Sequence, residues 1–178
     1  VPTKETTQRI TALYEELKKL SFEPEEWRRL SQLLLLKGSQ TEHLQANHQL
    51  TPDSIGFLFV FLIEQLYTNK KAPVKILDIA AGMGNLLLTV LLNLSNAGYQ
   101  TEGIGVDIDE MDITDADQVN KVIKEAAPDA VIHCAAYTAV DAAEDNEEIC
   151  RKVNAQGTEN IAKVCEELDI KMMYISTD

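Results

Sequence analysis

The segment Asp78–Leu87, DIAAGMGNLL, sets an acidic residue ahead of a G-x-G pair, Gly82 and Gly84. Two glycines let a chain turn tightly after a strand and come close to a ligand, and a helix opening behind them offers unpaired N–H groups. That is the chemistry of a cradle for a nucleoside or a phosphate, although glycines at this spacing also make ordinary strand-to-helix turns. Asp107 ends the next apolar run, where a carboxylate can receive two ribose hydroxyls. Ala135 and Ala136 close a third run. Such small residues let a flat cofactor lie against backbone, or merely permit close helix packing.

Other reactive residue types read as structural. His43 and His48 lie in or near a polar stretch without Cys or carboxylates at metal spacing, so they read as solvated. His133 reads as a satisfied residue at the edge of the core. The group Asp107, Asp109, Glu110, Asp112, Asp115 and Asp117 could attract a divalent cation. It fits better a solvated loop, with Asp115 near a helix N-terminus where its charge is favourable. The acidic run 141–148 reads as a capped helix start. Cys134, Cys150 and Cys165 have no C-x-x-C spacing and read as reduced, buried thiols of a cytoplasmic protein.

The elements that position these residues alternate. Strands are expected at Val74–Ile79, Gly103–Asp107, briefly at Asp112–Ile113, at Ala130–Cys134 and at Lys171–Ile175. Helices are expected at Gly84–Asn96, Ala116–Glu125 and Asn146–Leu168. Strand–helix alternation implies a Rossmann-like three-layer α/β/α fold with a parallel sheet of order 3-2-1-4-5 and a crevice where the strand order reverses. Strand 5 would leave an open edge, a site of self-association. In front stands a helical lead-in, residues 1–70, with the α/β domain over 71–178. Ile10, Leu13, Tyr14, Leu17 and Leu20 share one helical face, and a second helix starts at Pro24. Thr51 is the expected N-cap of a third helix, with Pro52 in its first turn. Apolar residues on most sides predict burial of that helix on more than one face.

The net charge of −13 is uneven. Residues 1–106 carry 10 basic against 11 acidic side chains, and residues 107–178 carry 6 against 18. An acidic surface repels phosphate backbones, so no nucleic-acid partner is expected. The N-terminus, charged from Lys4 to Arg9, does not read as a signal peptide. The longest apolar run, Ile55–Ile63, is too short to cross a bilayer, so no membrane partner is expected.

The break in charge falls where two resemblances meet. QLTPDSIGFL (Gln49–Leu58), the G-x-G loop and Asp107 together resemble the bacterial N-6 adenine-specific DNA methylases, class I S-adenosylmethionine (SAM) dependent methyltransferases, over about residues 1–108. The resemblance implies that Asp78, Ala80, Gly82 and Gly84 belong to the loop around the methionine part of SAM. It also places Asp107 at the ribose and Thr51–Pro52 at the methionine end. The family's N/D-P-P-Y/F loop, which holds the target amine, does not occur in this chain. From Asp112 onward, HCAAYTAVD, VNAQGTEN and YISTD resemble dTDP-4-dehydrorhamnose reductase, an extended short-chain dehydrogenase/reductase, over about residues 109–178. This implies that Asp112 and Ile113 line the adenine pocket of NADP(H). Ala135, Ala136 and Thr138 would pass beneath its ribose and nicotinamide, with Thr177 and Asp178 at the substrate end.

The reductase's Tyr-x-x-x-Lys pair, a proton donor tuned by a lysine, is matched only by Tyr14–Lys18 in the lead-in. That match reads as coincidence, with Tyr14 packed inward. The expectation is a recombined or engineered chimera, with its junction near 107–112 and no complete catalytic site. It would retain at most binding of an adenine-nucleoside cofactor, SAM ahead of NADP(H). The alternatives are a SAM-binding methyltransferase-like domain, an NADP(H)-binding reductase fragment, and an enzyme completed by further sequence or a partner chain.

Overall fold

Val74–Ile79 (β1) is apolar everywhere except Lys75 and Asp78, as a strand covered on both faces must be. In the computed structural model it lies at the centre of a parallel sheet. Residues 51–178 are described apart from Met83, Ala139, Thr177 and Asp178, together with single positions between 9 and 37. β1 pairs with Thr101–Val106 (β2) on one side and Ala130–His133 (β3) on the other, and β3 carries Lys171–Tyr174 (β4). The order is β2-β1-β3-β4. The α/β fold and its parallel order follow the expectation with one strand fewer. Asp112–Ile113 forms no strand, because its polar groups are spent locally. The Asp112 N–H donates to Gln118 Oε1, and Asp112 Oδ1 accepts from the Thr114 N–H. A short Asp side chain that bonds the backbone two residues on favours a turn over a ladder.

Helices cover both faces of the sheet. Asp53–Leu66 (α1) and Asn85–Asn96 (α2) pack Phe59, Ile63, Val90 and Leu94 against Val74, Ile76 and Ile132. On the other face, Ala116–Ala126 (α3) and Thr158–Glu167 (α6) set Val119, Ile123 and Ile161 against Leu77, Ile79 and Val131. Between β3 and α6 run two short helices, Val140–Ala143 (α4) and Glu147–Arg151 (α5), and a π-helical turn at Lys152–Gly157. Only a glycine fits at 157, since an added Cβ would stand 2.7 Å from the Ile113 side chain. The expected helix at 146–168 is thus present but changes hydrogen-bond register midway.

Several expectations need correction. The N-cap of α1 is Pro52 rather than Thr51, and Pro52 makes no side-chain cap. α1 buries one face only. Gly56, Phe59, Val60 and Ile63 are inside, while Phe57, Leu58 and Phe61 are exposed. Apolar content around a helix shows what could be buried, not what is covered. Described residues 9, 11–13, 15–16, 26, 29–30, 32–33 and 37 are helical, and Leu13, Leu20 and Leu33 are exposed, while Ile10, Leu17 and Pro24 lie outside the described residues. His43, His48, Tyr14, Lys18, Thr177 and Asp178 lie outside the described residues. Of the three free cysteines only Cys165 is buried, and Cys134 and Cys150 are half-buried. No helix among the described residues is long and apolar enough to cross a membrane.

Candidate functional site

The carboxyl ends of β1, β2 and β3 open onto a crevice of about 390 Å³. That lies within the usual range for small-molecule sites, and a sheet whose strand order reverses beside its central strand puts a cleft in this position.

One wall is the loop from β1 to α2. Ala80, Gly82 and Gly84 all hold positive φ, at 68°, 53° and 79°. The two glycines accept this freely. Ala80 does so against the preference of an L residue, at a cost of roughly 1 kcal/mol. No neighbouring atom would touch a Cβ at Gly82 or Gly84, so conformation rather than space selects glycine there. Asp107, one residue beyond β2, reaches back to this loop. Its Oδ2 accepts the Gly82 N–H at 2.6 Å, and its Oδ1 accepts the Ile108 N–H at 2.8 Å. Thr51, ahead of α1, is tied in where Asn85 Nδ2 donates to its carbonyl at 3.3 Å.

The facing wall is the stretch after β3, with the turn after β2 between them. Ala135, Ala136 and Thr138 line it, and Asp112, Ile113 and Thr114 complete the floor. Two asparagines hold these segments in place. Asn154 Oδ1 accepts the Tyr137 N–H at 2.6 Å, and its Nδ2 donates to the Tyr137 carbonyl at 3.2 Å. Asn160 Nδ2 donates to the Ile113 carbonyl at 3.0 Å. Neither asparagine was singled out by sequence reasoning, although both lie in VNAQGTEN. The available signal was an amide on each side of a glycine, six residues apart in a helix.

Nine of the twelve candidate residues therefore line one crevice: Thr51, Ala80, Gly82, Asp107, Asp112, Ile113, Ala135, Ala136 and Thr138. Pro52 and Gly84 shape the helix starts without lining it. Asp78, 1% exposed, does not line the crevice, and neither of its carboxylate oxygens has a hydrogen-bond partner. Burial, with the charge of Asp107 as a second cause, pushes its pKa up to about 7. Cys134 lines the crevice beside it. Burial and then the Asp78 charge push that thiol up to about 12, which keeps it protonated and unreactive.

His133 departs from the expected satisfied state. It is fully buried on the opposite face of the sheet, where Nε2 meets Thr158 Oγ1 at 3.0 Å and the ring stacks on Tyr174, but Nδ1 has no partner. Burial lowers its pKa to about 4. Asp115, expected near a helix N-terminus, is the N-cap of α3, accepting from the N–H groups of Asp117 and Gln118. The run 141–148 does hold the start of α5, but its N-cap is Asn146, which makes no side-chain cap bond to the helix. No group of three His, Cys, Asp or Glu among the described residues is placed to hold a metal ion.

Comparison with known proteins bears on both walls. dTDP-4-dehydrorhamnose reductase of Mycolicibacterium smegmatis is 40% identical over 100 residues, which is 56% of this chain and 30% of that protein. The uncharacterized protein YtxK of Bacillus subtilis is 37% identical over 107 residues, 60% of this chain and 32% of that protein. The chain thus spans about a third of the length of the curated relatives it matches.

Among solved structures, dTDP-4-dehydrorhamnose reductase of Bacillus anthracis, crystallised with NADP, is 32% identical. It superposes with a TM-score of 0.52 over 58% of this chain and 36% of its own. A Listeria monocytogenes protein assigned to the class I SAM-dependent methyltransferases is 29% identical, with a TM-score of 0.54 over 92% of this chain and 57% of its own. The profile of the RmlD substrate binding domain matches residues 77–178, so it takes in the glycine loop and β2 as well as the segment from Asp112 onward. Carrying that match over more than half its length, the chain belongs to the RmlD substrate binding domain family.

Proposed function

We propose that this chain is a recombined Rossmann-like domain whose crevice binds an adenosine-bearing cofactor, S-adenosylmethionine in preference to NADP(H), without a complete catalytic centre. The observation that carries the preference is charge. Asp107 and Asp112 line the crevice, and no Lys, Arg or His is among its described lining residues. A dinucleotide with a 2′-phosphate brings a pyrophosphate and a further phosphate into a site with no countercharge, beside a carboxylate at the end of β2 that repels it. SAM brings a sulfonium and an ammonium that outweigh its one carboxylate, and that net positive charge suits an acidic crevice.

The glycine loop supports the same choice. The Gly82 N–H is already engaged by Asp107, so the donor a pyrophosphate would use is taken, while the Asp107 carboxylate remains placed at the crevice for ribose hydroxyls. Recombination near residues 107–112 accounts for the jump in acidic charge and for one chain being similar both to a methyltransferase structure and to reductases. The NADP(H) reading draws on one specific observation, the B. anthracis relative in complex with NADP.

Calorimetric titration of the purified chain with SAM and, separately, with NADPH tests the choice. Micromolar SAM binding that is lost in Asp107→Ala, with NADPH weaker, is the expected result. NADPH binding tighter than SAM would reverse the assignment, and no heat with either ligand would remove it.

A further inference from the structure

One side of α1 holds it to the domain. Gly56, Phe59, Val60 and Ile63 are buried, and an added Cβ at Gly56 would stand 2.7 Å from the Thr89 side chain, so α1 and α2 approach closely there. The opposite side of the same helix is apolar and open. Phe57, Leu58, Phe61 and Leu66 are 53%, 45%, 56% and 50% exposed. Four of the ten large apolar side chains exposed among the described residues thus stand on one helix of 14 residues, which sets it apart from singly scattered surface leucines. Ser54, Leu58, Phe61 and Gln65 recur at i, i+4, i+7 and i+11, the seam spacing of paired helices, with Phe57 and Leu62 on the flanks.

Charge selects the occupant. α1 carries Asp53 and Glu64 and no basic residue, so its open face does not suit an anionic lipid surface. Two copies of a chain of net charge −13 repel each other, but the excess lies in residues 107–178, with 6 basic against 18 acidic side chains. Residues 1–106 carry 10 against 11, so copies meet through α1 at the least electrostatic cost. We infer that α1 is the contact of a weak symmetric dimer, its open stripe packed antiparallel on the same stripe of a second copy. In that arrangement Leu58 falls opposite Phe61 of the other copy and Ser54 opposite Gln65, pairs that a twofold axis repeats. It also sets Asp53 beside the tail of the other helix, where Lys70 and Lys71 follow, whereas a parallel pair would set Asp53 on Asp53 and Glu64 on Glu64. With a buried aromatic side chain worth 150–250 Å², the four half-exposed side chains offer roughly 350 Å² per copy. Their flanks bring the total to about 1,000 Å², the lower bound of a specific interface, which makes the dimer weak.

The test is sedimentation velocity of the whole chain over about 1 to 300 µM, at low and at high salt. The expected result is a monomer–dimer equilibrium with a Kd on the order of 10–100 µM. It tightens several-fold at high salt, because screening weakens the repulsion between two acidic chains. Phe61→Glu, which enters a symmetric contact twice, weakens the dimer by about thirtyfold or more and leaves the thermal midpoint of the monomer in place. Leu58→Gln acts in the same direction, so the outcome does not hang on the folding of one variant. Ile149→Gln, at a side chain 51% exposed in the acidic half, leaves the Kd unchanged. Lys71→Glu weakens the dimer and Asp53→Lys added to it restores the affinity. A chain that stays monomeric throughout overturns the inference, as does a dimer indifferent to both Phe61→Glu and Leu58→Gln, which would put the contact elsewhere, such as the edge of β4. A monomer that binds phosphatidylcholine vesicles through the same two side chains overturns it in favour of lipid. Failure of the charge swap to restore affinity overturns the antiparallel arrangement.

Discussion

The two walls of the crevice treat their polar groups in opposite ways. On the glycine-loop side, Asp78 is buried without a partner, and Ala80, Gly82 and Gly84 hold left-handed backbone. On the facing side, Asn154 satisfies both the N–H and the carbonyl of Tyr137, and Asn160 ties down Ile113. The glycine-loop wall holds strained backbone and an unmet carboxyl, while the backbone groups of the facing wall are satisfied and fix the shape of the cleft, with the unpartnered His133 Nδ1 behind it. The first wall is built for an encounter and the second for permanence.

Removing the unpaired carboxyl tests this contrast most sharply. The Asp78 pKa is raised in the fold, so its contribution is fully favourable below the unfolded value of 3.8 and is lost as pH rises through about 7. Asp78→Leu abolishes that loss. Relative to wild type, the variant gains about 4 kcal/mol between pH 4 and pH 8, read from urea unfolding at each pH. Parallel profiles for the two proteins would mean that Asp78 is solvated.

His133, buried behind the facing wall, has the opposite sign. Its pKa is depressed, so the stability it allows is present above 6.5 and is lost as pH falls through about 4. His133→Phe therefore gains about 3 kcal/mol on wild type between pH 7 and pH 4 in the same measurement. A gain seen at alkaline rather than acid pH would contradict the assignment.

Smaller effects separate the walls by mechanism. Asn154→Leu strips both backbone partners of Tyr137 and lowers stability by about 2 kcal/mol at neutral pH, with the midpoint of urea unfolding as the readout. An unchanged midpoint would show that the 135–138 segment is held by other contacts. Gly84→Ala forces an L side chain to a φ of 79° with no neighbour in its way, and costs about 1 kcal/mol in thermal unfolding. If the loop is remade by ligand, that cost shrinks when SAM is present.

Much of this was legible in the sequence, for identifiable reasons. β1 and β3 are short apolar runs bounded by turn residues, and their expected ends differ from the observed ones by at most one residue. Asp107 and the glycine loop could be brought together because β1 and β2 pair in parallel with their tips in register. The missing outer strand was not legible. Asp112 has a strand-like neighbour in Ile113, yet it bonds its own turn, and a side chain competing for backbone is invisible to periodicity. The exposure of Phe57 and Phe61 was hidden for another reason, since a helix pattern cannot say whether a second layer exists to cover it. The roles of Asn154 and Asn160 escaped because they depend on a π-helical turn, which has no compositional mark.

That turn has a consequence for what the chain tolerates. A π-helical segment holds one residue more than the same length of α-helix needs, and each residue rotates a helix by about 100°. A deletion anywhere in Lys152–Gly157 would leave a longer, more regular helix while turning α6 by that angle against α5. Asn160 would then leave Ile113, and Asn154 and Asn160 could no longer serve both segments from one rod. The irregular turn works as a phase shifter, keeping two otherwise incompatible sets of contacts in step.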